Sequence, residues 1–292
     1  MAAGQTVAVG LSGGVDSVVL LNALRGFGLP LSALHVHHGL SVNADRWEAF
    51  CRKLCDAWNI PLAVKRVTVA RGSPQGLECA ARQARHNAYA EAGDDWLALA
   101  HHADDQAETL LFNLIRGTGV RGAAAMAERN GRLLRPLLAV TRETILAYAR
   151  TRGLAWIEDE SNADLRHSRN FLRHRIVADI SRRFPGAAVN LAAASRRFAE
   201  SQDLLDDLAA MDLGGGHDFP VATELLRSLP EYRARNVLRY LLAGRGVQVP
   251  SEERLTEALR QFTTAGPDRH PSVMMGKNRL FRRRGVVDLA AR

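Results

Sequence analysis

Lysine is scarce in this chain. Lys53, Lys65 and Lys277 are the only three lysines among 39 basic residues, so any catalytic lysine must be one of them. None of the three lies near a glycine-rich stretch, which excludes the lysine-bearing phosphate loop G-x-x-x-x-G-K-[ST].

Cysteine is equally rare. Cys51, Cys55 and Cys79 do not make a disulfide framework. Cys51 and Cys55 fall at helical spacing in an apolar stripe with Trp47 and Trp58. This pattern favours small core residues over a redox pair or metal ligands.

Long apolar runs are also missing. No stretch approaches the length that crosses a bilayer, and an expected strand follows the first residues directly, in place of an apolar leader. We therefore expect a cytoplasmic protein with no membrane partner. The sequence leaves the oligomeric state open, a homodimer included.

Apolar residues are nevertheless abundant, at 47%, and the formal net charge is +8. This content is sufficient for a packed core, and 292 residues are sufficient for one large and one small domain. The positive charge favours a polyanionic partner, although a basic balance is weak evidence by itself.

A strand, a glycine turn and a helix start open the chain. Residues 7–10 are typical of a buried strand, and the turn that follows contains Ser12, Gly13, Gly14, Val15, Asp16 and Ser17. Glycine lets the backbone approach a phosphate, and a helix N-terminus favours anions. The Asp16 carboxylate would repel phosphate unless it binds Mg²⁺ or caps the loop. The alternative is an ordinary glycine turn.

Three further apolar segments, 31–39, 62–69 and 96–100, predict strands that alternate with helices. This alternation indicates an α/β fold with a parallel sheet wrapped by helices. Residues 154–157 are expected to add an edge strand. His35, His37 and His38 end the second strand and are expected to line a nucleotide crevice, with a metal site as the less favoured alternative.

Histidines and carboxylates follow the fourth expected strand: His101, His102, Asp104, Asp105 and Glu108. Such folds bind ligands at the carboxyl ends of strands, although acids in a first helical turn also stabilise the helix dipole. Asp105 and Glu108, three residues apart, could hold an ammonium group. At the expected helix end, Arg116 suits a phosphate and Gly117 suits a C-cap.

The helix expected at 78–92 places Arg82, Arg85 and His86 on one face. A solvated surface and a phosphate-facing patch are equally good interpretations of this face.

These motifs together resemble those of the tRNA(Ile)-lysidine synthetase family. The hexamer 12–17 resembles the pyrophosphate loop of N-type ATP pyrophosphatases, the PP-loop superfamily. Later family motifs are matched, in order, by residues 35–41, 101–109, 116–119, 134–138, 158–162 and 169–173. The match is dense over about the first 185 residues and thins afterwards.

The resemblance implies an adenine nucleotide alpha hydrolase-like, Rossmann-like fold and a ligase that uses ATP and Mg²⁺. It implies adenylation of the C2 oxygen of the wobble cytidine in a tRNA(Ile) with a CAU anticodon. The ε-amine of free L-lysine then attacks C2, which yields lysidine, AMP and diphosphate and changes the codon read from AUG to AUA.

The resemblance also implies roles for particular residues. Catalytic roles fall to Asp16, Asp105 and Arg116, and the lysine is expected on Asp105 and Glu108. ATP is expected on the loop residues named above together with His37 and Gly117, with Mg²⁺ on Asp16. The tRNA is expected on Arg169, Asn170, Arg173, Arg282 and Arg283.

Glycine and proline mark the expected domain boundaries. We expect a PP-loop catalytic domain over 1–185, a helical connector over 186–213 and a small α+β tRNA-binding domain over 214–292. In the last, 272–275 and 280–289 predict a strand pair. The arginines at 279 and 282–284 fit either a charged edge strand or a phosphate contact. Some family members have a further C-terminal domain, and this chain resembles the shorter type unless it has been truncated.

The nearest alternative is another enzyme of the superfamily, a tRNA thiolase, which the few cysteines disfavour. A non-catalytic RNA-binding module is disfavoured by the intact loop. Amidotransferase-type relatives are disfavoured by the basic second half.

Overall fold

A computed structural model describes residues 4–70, 77–158, 168–248, 251–266 and 268–291, with only the backbone of residues 77 and 78. The chain divides into two compact units, Met1–Ala199 and Glu200–Arg292. Within the described ranges, no helix combines the length and apolar character that a membrane crossing requires. The domain boundaries expected at 185 and 213 stay predictions.

The first unit is built on a six-stranded sheet in the order β3-β2-β1-β4-β6-β5. Its strands are β1 (Val7–Gly10), β2 (Leu31–His37), β3 (Leu62–Arg66), β4 (Trp96–Ala98), β5 (Arg129–Asn130) and β6 (Leu133–Leu134). All neighbours are parallel except β5 and β6. The predicted α/β fold is confirmed. The order reverses beside β1, and a crevice outside the carboxyl ends of β1 and β4 is where such sheets bind ligands.

Helices surround this sheet. They are α1 (Val15–Arg25), α2 (Ala44–Trp58), α3 (Leu77–Ala90), α4 (Ala103–Ile115), α5 (Val120–Ala123), α6 (Arg142–Thr151), α7 (Ser168–Phe171), α8 (Ala178–Arg183) and α9 (Ala187–Asp212). A π-helical turn, Leu172–Val177, joins α7 to α8. Cys51 and Cys55 are fully buried in the core between α2 and the sheet, and burial raises the pKa of their thiols to about 12 and about 11. The prediction that they are core residues is confirmed.

The predicted edge strand at 154–157 is wrong. The segment is extended, but Ile157 N–H donates to the carbonyl oxygen of Gly13, at 2.9 Å, in the loop after β1. Because Gly13 lies in a turn and not in a strand, it offers residues 154–157 no neighbouring strand with which to form a β-ladder.

The described part of the second unit is an antiparallel sheet packed with the end of α9 and three further helices. Its elements are β7 (Val221–Ala222), α10 (Thr223–Ser228), α11 (Glu231–Gly244), α12 (Glu252–Thr264), β8 (Ser272–Met275), β9 (Asn278–Arg283) and β10 (Val286–Ala291), with strand order β7-β10-β9-β8. The core contains Val237 and Leu241 of α11, Phe262 of α12 and Leu280 of β9. This confirms the smaller α+β part of the predicted fold.

The strand expected over 280–289 is two strands. Arg284 and Gly285 have φ of 49° and 79° and form a two-residue hairpin turn between β9 and β10. Hairpin turns of this length favour two positive φ values, which an arginine rarely adopts. The sequence signal for the turn is therefore weak.

Candidate functional site

The loop after β1 is held by hydrogen bonds among its own residues. Ser12 N–H donates to Ser17 Oγ at 3.2 Å, and Ser17 Oγ donates to the Gly14 carbonyl at 2.9 Å. Gly13 has φ of 89°, and a Cβ there would lie 2.8 Å from Ile157 Cδ1. Glycine is favoured at this position, because the backbone angle is strained for other residues and a Cβ would displace the end of the Ile157 side chain.

The start of α1 is open to an anion. Its N-cap is Gly14, and among the described residues no side chain caps the first turn. The N–H groups of a first helical turn lack partners within the helix, so they are free to bind phosphate oxygens.

A cavity of about 720 Å³ lies beside this loop, a volume typical of a small-molecule site. Its wall combines the loop, the end of β2, parts of α2, α3 and α6, residues 156–158 and the π-helical turn. The polar and aromatic residues in the wall include Ser12, Asp16, His37, Arg85, Tyr89, Arg142, Trp156, Glu158, Arg173 and His174.

Asp16 is placed to hold a cation. Its Oδ1 is buried and has no hydrogen-bond partner among the described residues. Burial raises the pKa of Asp16, although the nearby His102, with Nε2 at 3.8 Å, opposes the shift. A buried acceptor without a donor loses free energy, and a bound cation would restore it.

His102 begins α4 and lies among carboxylates. It is 1% exposed, its N–H donates to Asp105 Oδ2 at 3.1 Å, and in its neutral form Nδ1 accepts from Asp105 N–H at 3.4 Å. Burial opposes the charged ring, but Asp104, Asp105 and Asp16 outweigh it, so the pKa of His102 is raised.

The preceding histidine has the opposite shift. Burial lowers the pKa of His101 to about 4. The charge of Asp105 opposes this shift, and the charges of Arg135, Arg169 and Arg82 reinforce it. Arg135 Nε donates to His101 Nδ1 at 3.3 Å, which a neutral ring accepts. The pKa values of two adjacent histidines are therefore shifted in opposite directions.

Asp105 and Glu108 meet on one face of α4 and share a guanidinium. Arg173 Nη2 lies 2.7 Å from Asp105 Oδ1, and Arg173 Nε lies 2.5 Å from Glu108 Oε1. Glu108 is 2% exposed, and burial raises its pKa although Arg173 opposes the shift. The two carboxylates thus form a cation site, which we call the acidic pair.

Comparisons with known proteins match both units of the chain. Residues 2–180 match the model of the PP-loop domain, and residues 222–287 match that of the TilS substrate binding domain. The chain is 49% identical to the tRNA(Ile)-lysidine synthase of Azoarcus sp. (strain BH72), over 89% of this chain and 61% of that protein. Against the protein of the same name from Pseudomonas aeruginosa it is 44% identical, over 96% of this chain and 67% of that protein. The chain belongs to the tRNA(Ile)-lysidine synthase family. The motif resemblance is confirmed.

The chain spans 61% to 65% of the length of the first relatives it matches, among them the Nitrosomonas europaea synthase at 41% identity over 98% of this chain. A solved structure, the U34-tRNA thiolase NcsA from Methanococcus maripaludis with its [4Fe-4S] cluster, has a TM-score of 0.55. It is 19% identical and covers 68% of this chain and 72% of that one, which shows a shared fold alone.

Among the described residues, the acidic pair does not itself line the cavity, although its partner Arg173 does, and Arg116 and Gly117, placed by the family resemblance in catalysis and ATP binding, do not line it either. Arg116 and Gly117 follow α4. Arg116 is exposed, with its guanidinium 5.2 Å from the centre of the Phe112 ring, and Gly117 has φ of 73° at the helix end. The C-cap interpretation fits Gly117, and the role of Arg116 stays a prediction.

The histidines at the end of β2, His35, His37 and His38, all line the cavity, as expected of a crevice-lining cluster. His35 is buried, with Nδ1 2.8 Å from the Leu11 carbonyl oxygen. His37 lines the cavity, and its Nε2 lies 3.1 Å from Asp45 Oδ1. Glu48 completes a cluster that could hold a metal, but Arg66 Nη2 already pairs with Glu48 Oε2 at 2.7 Å. The nucleotide-crevice interpretation therefore remains the better one for His37.

The residues predicted to bind tRNA differ in their contacts and in their exposure. Arg169 Nη2 donates to Thr109 Oγ1 at 2.7 Å, and Arg173 is bound to the acidic pair. Asn170 lies on α7 between them, and Arg283 is exposed on β9. Of the motif 158–162, residue 158 lines the cavity and the rest lies outside the described residues.

Arg282 requires a correction. It is 6% exposed, and its Nη1 donates to the carbonyl oxygens of Phe262 and Ala265 at 3.1 and 2.6 Å. The guanidinium therefore satisfies the end of α12 and cannot reach a phosphate from there. Leu280, two residues earlier and also buried, is the signal that was missed, since strand side chains alternate between faces.

Proposed function

We propose that this chain modifies a tRNA(Ile) with a CAU anticodon by forming lysidine from the wobble cytidine, L-lysine and ATP. The observation that carries the proposal is the acidic pair: two carboxylates that bind the guanidinium of Arg173, a residue of the cavity wall. Family membership supports the same reaction.

The loop supplies the phosphate site in this proposal. The first-turn N–H groups of α1 donate to phosphate oxygens, and the dipole of α1 favours their negative charge. Ser12 and Ser17 hold the turn in shape through their mutual hydrogen bonds. Positioning and charge stabilisation are the main contributions that a protein makes to reactions at phosphorus.

Asp16 is the residue that fits Mg²⁺. Its partnerless Oδ1 is a hard oxygen ligand in the cavity wall, the type that Mg²⁺ prefers. Bound there, Mg²⁺ would supply neutralisation of phosphate charge. Burial raises the pKa of Asp16, and a bound cation would act against that shift.

The acidic pair binds the lysine in this proposal. The amine that attacks must be unprotonated, so the pair holds the other ammonium of lysine, the α-ammonium, by charge-assisted hydrogen bonds. Tight packing around Glu108, which is 2% exposed, strengthens these bonds because water is excluded.

Arginines on both units supply the tRNA contacts. The half-buried Arg169 and the exposed Arg283 are the arginine candidates that are bound neither to the acidic pair nor to the end of α12, and the net charge of +8 favours an RNA partner. A cytoplasmic location and a homodimer remain predictions.

Transfer of labelled L-lysine to tRNA(Ile) with a CAU anticodon, with ATP and Mg²⁺ and then mild alkali, tests the function. Label that survives alkali is attached to the base, because an aminoacyl ester would hydrolyse. Asp16→Ala and Asp105→Ala should each lower the rate about 10²–10³-fold. An unchanged rate in both variants would show that the site is misplaced.

Absence of label with ATP still cleaved to AMP in the presence of tRNA would keep the adenylation chemistry. That result would favour thiolation instead. It would also require a cysteine chemistry for which the buried Cys51 and Cys55 are poorly suited.

A further inference from the structure

Hydrogen bonds from Arg173 and His102 occupy all the carboxylate oxygens of the acidic pair. Arg173 Nε and Nη2 donate to both oxygens of Glu108, at 2.5 and 3.1 Å, and Nη2 also donates to Asp105 Oδ1 at 2.7 Å. The remaining oxygen, Asp105 Oδ2, accepts from His102 N–H at 3.1 Å. Every carboxylate oxygen of the pair therefore already accepts a hydrogen bond.

A second cation would meet an unfavourable site. An ammonium bonded to the pair would lie within a few ångströms of the guanidinium, and like charges at that distance repel strongly where burial limits screening. Glu108 cannot turn towards water to share its charge, because it is 2% exposed. The pair accommodates one cation at a time.

We propose that Arg173 is an intramolecular competitor for the lysine site, and that L-lysine binds only when Arg173 leaves the acidic pair. This inference rests on the proposed function, which assigns the pair to lysine. It makes the free protein a poor lysine binder and couples lysine binding to the event that moves Arg173.

A phosphate group is the partner that draws Arg173 away. Arg173 lines the same cavity as Ser12 and Gly14 of the phosphate loop, and a guanidinium binds phosphate in two-point contacts as readily as carboxylate. The phosphate could belong to ATP or to the tRNA backbone. Because such coupling is reciprocal, lysine would strengthen phosphate binding by the same factor.

The backbone at Arg173 allows this movement. Arg173 lies in the π-helical turn Leu172–Val177 between α7 and α8. π-Turns contain one residue more than an α-helix accommodates and are often found at functional sites. Rewinding this turn to α-helix would rotate Arg173 about the helix axis by roughly 100°, the step of one residue.

Equilibrium dialysis of labelled L-lysine against the full chain, without ATP or RNA, tests the competition. Arg173→Ala should bind lysine at least about tenfold more tightly than the unaltered protein. Arg173→Lys should lie between them, because an ammonium cannot bridge both carboxylates as a guanidinium does. A merely structural arginine would give the opposite result, weaker binding after substitution.

Arg182→Ala is the matched control, since Arg182 is an exposed arginine of α8 that pairs with Asp179. It should bind lysine as the unaltered protein does. Equal lysine affinity in the unaltered protein, Arg173→Lys and Arg173→Ala would overturn the inference. Melting curves of the three proteins identify any variant that is not folded, and Arg173→Lys then carries the test.

Two further arms separate the phosphate sources. A non-hydrolysable ATP analogue with Mg²⁺ is added in one arm and the tRNA in the other. The source that recruits Arg173 should tighten lysine binding about tenfold in the unaltered protein and leave Arg173→Ala unchanged. No tightening in either arm would overturn the phosphate step.

Lysidine formation by the unaltered protein is measured in parallel. Lysidine formed while Arg173→Ala binds lysine no more tightly would refute the competition and leave the proposed function standing. No lysidine, with no lysine bound by any variant, would refute the proposed function itself.

Discussion

Two arginines, one in each unit, bind acceptors of different kinds. Arg173 bridges two carboxylates at the wall of a cavity, whereas Arg282 donates to the last carbonyl groups of α12. Carboxylates keep their charge when the arginine leaves, so another cation can replace it. Carbonyl groups at a buried helix end have no such substitute and lose hydrogen bonds outright. Another cation can therefore replace Arg173 at its carboxylates, whereas the contact of Arg282 is a permanent part of the folded structure.

The two units do not differ in how completely their buried polar groups are satisfied. Asp16 Oδ1 in the first unit is buried without a hydrogen-bond partner among the described residues, and so are Thr223 Oγ1 and Arg235 Nε in the second. The contrast between the units therefore lies in the acceptors that Arg173 and Arg282 bind.

The largest expected effect is on stability. Arg282→Ala should lower the free energy of unfolding by about 3 kcal/mol, because buried carbonyl groups lose a charged donor. Arg283→Ala, one position along on the exposed face of β9, should change it by less than about 0.5 kcal/mol. Urea unfolding measures both, and equal losses would contradict the buried role of Arg282.

A smaller effect should appear in acid. The pKa of His101 is about 4 in the folded protein, below its ordinary value of 6.5. The unfolded chain therefore binds this proton first, and stability falls as pH decreases from about 6.5 towards 4. Between pH 7 and pH 5, the free energy of unfolding should therefore fall by about 1–2 kcal/mol less in His101→Asn than in the unaltered protein.

Urea unfolding of both proteins at pH 7 and pH 5 gives this difference. The raised pKa of His102 acts in the other direction, since its contribution is lost as pH rises, and it is present in both proteins. Identical acid losses with and without His101 would show that this ring is not held neutral.

The smallest effect concerns RNA. Arg283→Ala should weaken tRNA binding a few-fold and reduce the salt slope of the binding constant by about 1, as expected for one lost phosphate contact. Filter binding across a series of salt concentrations measures this slope. An unchanged slope would remove Arg283 from the RNA surface.

Much of the first unit could be predicted because its signals are local. The strand, glycine turn and helix of the loop are adjacent in sequence, and Asp105 and Glu108 lie three residues apart on one helix. Contacts across the chain left no such signal. Arg173 is 65 residues from Glu108 and sits in a basic run typical of RNA binding, so its carboxylate partners could not be inferred.

The second unit shows another limit of pattern reading. The arginines at 279 and 282–284 predict either a charged edge strand or a phosphate contact, and both interpretations require exposure. Arg282 nevertheless lies inside, because side chains alternate between the faces of a strand. The net charge of a segment therefore does not predict which of its residues are exposed.

The hydrogen bond from Ile157 N–H to the Gly13 carbonyl has a consequence for protein engineering. The phosphate loop spans six residues, but the backbone that closes over it comes from more than 100 residues later in the chain. Transplanting the hexamer into another strand–helix pair would therefore transfer its sequence but not its backbone geometry. The smallest portable version of this anion cradle includes the segment around Ile157 as well.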